Sequence, residues 1–349
     1  EVSSPTQVGS ETDWAIMGGG PKSPAGFAFN TSGELYAWGS NATGALGLNN
    51  RTTYYEPNQV GTDTTWKDIA VGTNSTYGTK TDGTLWSWGY NEYGQLGLNK
   101  AGTPASQSNS RSSPTQIGTE TTWDRIGATY HSAYATKTDG TFWSWGTNHD
   151  GSLGLNTGPG FGRRSSPTQV GTDTNWVAPF RTGTHKGMVA WKTDGTMWSW
   201  GQNTNGELGH NNTTNYSSPK QIGTDTDWAT TYQSGAGGEY RAFAIKTGGE
   251  LFSWGQNDDG VLGHNNQTQY SSPRQVPGSS WNTVFNGNFD TAATKTNGTL
   301  WTWGKNNKGA IGDNDNSPRM SPGQVGNKSH WGAVNGGSES LRFGTQKPQ

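Results

Sequence analysis

Six histidines are the residues best suited to acid–base or metal chemistry in this chain: His131, His149, His185, His210, His264 and His330. His210 and His264 fill one slot, directly after Leu-Gly, in consecutive copies of a repeat that elsewhere places Leu48, Leu98 or Leu155 there. A residue that recurs with a repeat serves the repeat, so these two are expected to be structural. Asp82, Asp139 and Asp194 recur in Asp-Gly turns, one per unit, and cannot pair locally as general acid and base. Asp313-Asn314-Asp315-Asn316 has the alternating oxygens of a calcium loop. It lacks the following glycine and the distal glutamate, which favours a solvated turn. The runs Met17-Gly18-Gly19-Gly20 and 235–238 lack the strand–helix context of a phosphate loop. With no cysteine, disulfides, thiolate zinc sites, iron–sulfur clusters and cysteine nucleophiles are excluded. These residues point to no enzyme, no metal site and no cofactor.

The elements that position them repeat. Thr-Asp-Gly-Thr-Leu-Trp-Ser-Trp-Gly begins at Thr81 and returns with small changes from Thr31, Thr138, Thr193, Thr247 and Thr296, six copies in all. A second element, Ser-Ser-Pro-Thr-Gln-Val-Gly at 3–9, occurs seven times with small changes, the last copy ending at Gly326. After each comes a lone tryptophan: Trp14, Trp66, Trp123, Trp176, Trp228, Trp281 and Trp331. A period of about 50 residues with this regularity dictates the architecture. Only 28% of residues are hydrophobic, but only 14% are charged, the net charge is −2, and 18 residues are tryptophan. A core built on indoles rather than aliphatic chains is therefore expected, and disorder is not. No stretch of 18 apolar residues occurs, so no membrane span is expected.

Each unit reads as four short strands. A segment after the lone Trp is followed by a strand, an Asp-Gly hairpin, a Trp-Ser-Trp strand with both indoles on one face, and a proline-bearing edge strand. This predicts an all-β, seven-bladed propeller of four-stranded antiparallel blades, at 14–61, 66–118, 123–171, 176–223, 228–277, 281–326, and 331–349 plus 1–9. In that scheme the chain is a single domain, and the N-terminal strand 1–9 joins the last blade to close the ring and hide two sheet edges.

The motif Gly-x-Leu-x-x-Trp-Gly-x-Asn-x-x-Gly-x-Leu-Gly, followed by Ser-Pro-x-Gln-Val, resembles the regulator of chromosome condensation repeat family of seven-bladed propellers, across nearly the whole chain. His131 and His185 match that family's Gly-x-x-His position. The near-identical repeats look most like bacterial and phage members. The resemblance implies the fold; function has to be argued from the surface.

Loop lengths supply that argument. Second-to-third turns and fourth-to-first links scarcely vary, whereas insertions fall at 18–26, 90–112, 147–165, 232–241 and 305–320. In a meander blade these belong to one face, so one face is smooth and the other sculpted, and function is expected on the sculpted face. Partner-binding candidates there are Tyr90, Tyr93, Lys100, Arg111, Phe161, Arg163 and Arg164, with Tyr54, Tyr55, Tyr216 and Tyr270 before the fourth strands as candidates for stacking sugars. Low charge, absent cysteine and the resemblance together favour a non-enzymatic display scaffold, extracellular or on a virion surface. Its expected partners are other structural proteins of an assembly, or a cell-surface receptor or glycan. No nucleic acid and no membrane insertion are expected. Alternatives are a carbohydrate-binding propeller, and a guanine-nucleotide-exchange or chromatin-binding factor, which would need a concentrated charge that the even composition does not suggest.

Overall fold

Blade two shows how the repeat folds. Its strands Trp66–Val71, Ser75–Lys80, Leu85–Gly89 and Arg111–Gln116 pair in chain order as an antiparallel meander. At the hairpin between the second and third strands, Gly83 has φ +78°, and a Cβ there would lie 2.0 Å from the Thr121 carbonyl oxygen. Only glycine fits such a turn. Asp82 accepts from the amide and hydroxyl of Thr84, and Thr84 Oγ1 in turn accepts the Trp86 indole N–H. The fourth strand forms the outer edge. Its pairing moves from Ser87↔Thr115 to Gly89↔Arg111, and Pro114, which has no N–H to donate, sits in the resulting bulge.

The computed structural model describes residues 13–19, 25–100, 109–157, 162–179, 186–231, 234–237, 240–287, 289–306, 309–336 and 342–346. Within these, six four-stranded sheets repeat the pattern, at 14–59, 66–116, 123–169, 176–221, 235–275 and 281–324. First strands of successive blades touch along most of the ring, so they line its centre and the half-exposed fourth strands form the rim. No described helix is long and apolar enough to cross a membrane.

The expectation of seven blades is overturned. Trp331–Gly336 pairs with Arg342–Gln346 in a two-stranded sheet, which lies between blades six and one. The reason is in the packing. A lone Trp marks an interface between neighbours: Trp331 is buried with Phe285, Ala292, Leu300 and Val325 of blade six. A blade also needs the Trp-x-Trp-Gly hairpin, and the sequence has only six of those or their variants. The segment 1–9, expected to close the ring, lies outside the described residues.

The apolar clusters straddle blades rather than sitting within them. One joins Phe27, Leu35, Ala37 and Val60 of blade one to Trp66, Ile69, Val71 and Trp88 of blade two. The next joins Tyr77, Leu85 and Ile117 to Trp123, Ile126 and Trp145. At each such junction the second indole of the Trp-x-Trp strand reaches into the preceding blade. Trp88, Trp145, Trp200, Trp254 and Trp303 are fully buried, and their Nε1–H groups donate to the carbonyls of Ala45, Gln95, Ser152, Glu207 and Val261 at 2.7–2.9 Å.

The lone Trp residues differ. Trp123 is equally buried, but its N–H has no hydrogen-bond acceptor. Trp145→Phe should therefore cost about 1 kcal/mol more than Trp123→Phe in urea unfolding, because only the first removes an interblade hydrogen bond, the Gln95 carbonyl keeping the Tyr77 hydroxyl. Equal losses would show that the interblade hydrogen bond contributes nothing.

Candidate functional site

The smooth face is fixed by one device used five times. The lysine preceding each hairpin turn lies between the lone Trp and the first aromatic residue of the third strand. Lys80 is 4.9 Å from the Trp66 ring centroid and 3.9 Å from that of Trp86; Lys137, Lys192, Lys246 and Lys295 repeat the arrangement. Acids on the fourth-to-first links complete it: Asp63 with Lys80, Glu120 with Lys137, Asp173 with Lys192, and Asp225 with Lys246 at 2.7–2.9 Å. An ammonium held between two rings and a carboxylate is satisfied where it stands. This face is built for stability.

On the opposite face each third-to-fourth loop is held by a buried asparagine. Asn91 Oδ1 accepts the Leu96 amide while its Nδ2 donates to the Lys100 carbonyl; Asn41, Asn203, Asn257 and Asn306 make the same amide contact in their blades. Farther along, Asn49, Asn99, Asn156, Asn211 and Asn265 adopt φ of 53–57°, and their amides donate to a fourth-strand carbonyl of the next blade. His210 and His264 belong to this scaffolding. Their Nε2 atoms meet Ser199 and Ser253 Oγ at 2.9 Å, and burial lowers both histidines to a pKa of about 4, so the rings are neutral near pH 7. Asp313 is held by Arg319 at 2.6 Å and by Asn306.

The candidates divide accordingly. Tyr54, Tyr216 and Tyr270 each place their hydroxyl on the loop asparagine of their own blade, Asn50, Asn212 and Asn266. Lys220 and His210 cover the Tyr216 ring, and Arg274 and His264 cover that of Tyr270. Tyr55 is 90% exposed on the rim. Arg111 and Arg164 lie on fourth strands, where each guanidinium donates to the preceding carbonyl, and Lys100 is exposed at the end of its described loop. Phe161 lies outside the described residues, as does His185.

Tyr90, Tyr93 and Arg163 are brought together. Tyr90 and Tyr93 are 6.3 Å apart edge-on, and the Arg163 guanidinium of blade three lies 4.8 Å over the Tyr93 ring. His131, from the first-to-second connection of blade three, stands between Tyr93 (4.7 Å) and Tyr130 (4.2 Å). Lys186 of blade four faces Asp150 at 3.7 Å across the same depression, and His149 completes the wall. Burial, with Lys186 and Arg163 nearby, lowers the His149 pKa. Three blades thus converge on one polar, aromatic and cationic pocket. Sequence reasoning passed over Tyr130 and Lys186; the available signal was that Lys186 occupies, in blade four, the connection that His131 occupies in blade three.

Basic residues collect on the rim. Fourth strands of blades two to six carry Arg111, Arg163, Arg164, Lys220, Arg274 and Arg319 and no acid. The acids Asp63, Asp82, Glu120, Asp139, Asp173 and Asp194 lie on the smooth face. Among the described residues no group of three or more His, Asp or Glu side chains could hold a metal ion.

The family model for the regulator of chromosome condensation (RCC1) repeat matches residues 32–78, 82–126, 194–239 and 248–292, over half of the chain. The protein belongs to the RCC1 repeat family. A stretch of 148 residues, 42% of the chain, is 30% identical to the mouse E3 ubiquitin-protein ligase HERC2, of which it spans 3%. In fold, human WBSCR16 superposes with a TM-score of 0.84 at 18% identity, covering 99% of this chain and 89% of that one. Prp20p of Saccharomyces cerevisiae, whose structure was described with its binding to Gsp1p and histones, superposes at 0.79 with 17% identity, covering 96% and 83%. These neighbours overturn the expectation of virion proteins, receptors or glycans as partners. Of the sugar-stacking candidates, the rings of Tyr216 and Tyr270 are already met by a cation and a histidine of their own blades, whereas Tyr55 is exposed.

Glu207 offers a pH test of the loop scaffold. It is buried where other repeats place Ala45, Gln95 or Val261, and burial pushes its carboxyl up to about 7. The folded state therefore keeps a proton that the unfolded chain releases near pH 4.5, and stability falls as pH rises from 4.5 to 7. The loss is roughly 1.4 kcal/mol per pH unit, about 3 kcal/mol in all. Glu207→Gln removes it: the stability difference between variant and parent should grow between pH 5 and pH 8. A constant difference would show that Glu207 is ionised throughout.

Proposed function

We propose that this propeller is a protein-binding factor of the guanine-nucleotide-exchange or chromatin-contacting kind, which receives its partner on the loop-bearing face. The observation that carries the reading is the convergence of Tyr93, His131, Arg163 and Lys186 from three blades on that face. Aromatic rings and arginine held in place by neighbours are what concentrates binding energy at protein interfaces. Fold similarity to Prp20p over 96% of the chain supports this partner class, as does the basic rim of the fourth strands. The smooth face has its cations locked into ring sandwiches and offers a partner little beyond scaffold.

The test uses the full chain against a panel of purified small GTPases and core histones, with direct binding and release of a fluorescent guanine nucleotide as readouts. Binding of one of these partners is expected. The double variant Tyr93→Ala with Arg163→Ala should weaken it at least tenfold, and Asp82→Ala with Asp139→Ala should leave it unchanged. Accelerated nucleotide release assigns exchange; histone binding alone assigns chromatin contact. Loss of binding on altering the smooth face, with the loop face indifferent, would overturn the reading.

A further inference from the structure

The pocket at the meeting of blades two, three and four has a volume of about 260 Å³. Sites for drug-sized ligands occupy roughly 300–1,000 Å³, so this one is matched to a single side chain rather than to a nucleotide. Its floor is made of polar groups that already bond to one another. Ser132 Oγ donates to the Thr147 carbonyl at 2.7 Å, Ser152 Oγ to the same carbonyl at 3.1 Å, and the Tyr134 hydroxyl to the Ser152 carbonyl at 2.8 Å. Such a floor is rigid, and selectivity falls to the walls.

The walls are aromatic on one side and cationic on the other. Tyr93, His131 and Tyr130 stack in series, with Arg163 over the outer face of Tyr93. Lys186 stands opposite. Among the described residues its acidic neighbour is Asp150, 3.7 Å away and beyond hydrogen-bonding distance, and the Asp150 carboxylate also accepts from Asn215 Nδ2. The ammonium thus keeps donors for a further acceptor. Burial first, and then the charges of Lys186 and Arg163 against that of Asp150, lower the pKa of His149 at the pocket wall.

We propose that this pocket is the specificity site of the propeller and takes one aspartate or glutamate side chain from the partner protein, with Lys186 on the carboxylate and its methylene stem against Tyr93 and His131. This rests on the reading of the loop-bearing face as the binding face and names the chemistry of what enters it. A carboxylate that meets an ammonium beside aromatic walls gains a charge–charge contact that its amide counterpart lacks.

The probe is the blocked pentapeptide acetyl-Gly-Glu-Tyr-Glu-Gly-amide, compared with its Gln-for-Glu counterpart and with inorganic phosphate. The ring Cε1–H resonances of His131 and His149 in the full chain report occupancy. The Glu peptide should shift both resonances saturably, the Gln peptide should bind at least tenfold more weakly, and Lys186→Gln should lose about tenfold in affinity with an unchanged melting temperature. Equal binding of the two peptides, or shifts from phosphate alone, would overturn the proposal. Should Lys186→Gln prove unstable, the comparison of peptides on the parent protein decides the matter alone. If no GTPase or histone binds but the Glu peptide does, the pocket stands and the partner class falls. If such a partner binds the face while the peptide moves neither resonance, the pocket falls and the function stands.

Discussion

One contact joins the separate sheets along the ring: the buried indole N–H that crosses from each of blades two to six to a loop carbonyl of the blade before it. Trp88 on Ala45, Trp145 on Gln95, Trp200 on Ser152, Trp254 on Glu207 and Trp303 on Val261 are the same interaction five times. Each carbonyl belongs to a Gly-x-Leu-Gly turn too tight for any side chain at its last glycine; at Gly97 a Cβ would lie 2.8 Å from Trp145 Nε1. The glycine, the indole and the carbonyl therefore depend on one another. Changing any of them opens a cavity or leaves a buried polar group unmet.

This contact also divides the faces. The indole fixes the start of the third-to-fourth loop, the buried asparagine and the left-handed asparagine fix its path, and the residues beyond them are free to differ among blades. At the opposite face the lysine sandwiches leave nothing free. Variation is confined to where the scaffold tolerates it, and only there can a recognition surface arise without disturbing the core. The Tyr93–His131–Arg163–Lys186 pocket lies in that permitted zone. Its rigid floor is made by side chains of blade three, Ser132 and Ser152, where other blades place Gly187, Arg241 or Asp290 and Ala45, Gln95 or Val261.

Much of this was legible in the chain itself. A six-fold Trp-x-Trp-Gly hairpin with Asp-Gly turns can fold only as repeated antiparallel meanders, because period-2 alternation and obligatory glycine conformations are local properties. Local spacing likewise exposed the smooth and sculpted faces, and it marked His210 and His264 as parts of a blade. The count of blades was not local. Trp331 reads in sequence as the start of another unit and packs on blade six as Trp66 packs on blade one, but among the described residues only a two-stranded sheet follows.

Sequence by itself thus determined the strands, the turns, the face on which change is tolerated and the membership of a repeat family. Tertiary structure alone decided which of the many Tyr, Arg and Lys residues meet. Tyr93, Arg163 and Lys186 lie in three different repeats, and nothing in their spacing links them. They converge because the ring places the loops of consecutive blades side by side, so that residues as distant along the chain as Tyr93 and Lys186 share one pocket. By the same closure, acids and lysines from different strands meet as pairs on the smooth face, while the basic residues of five fourth strands collect on the rim.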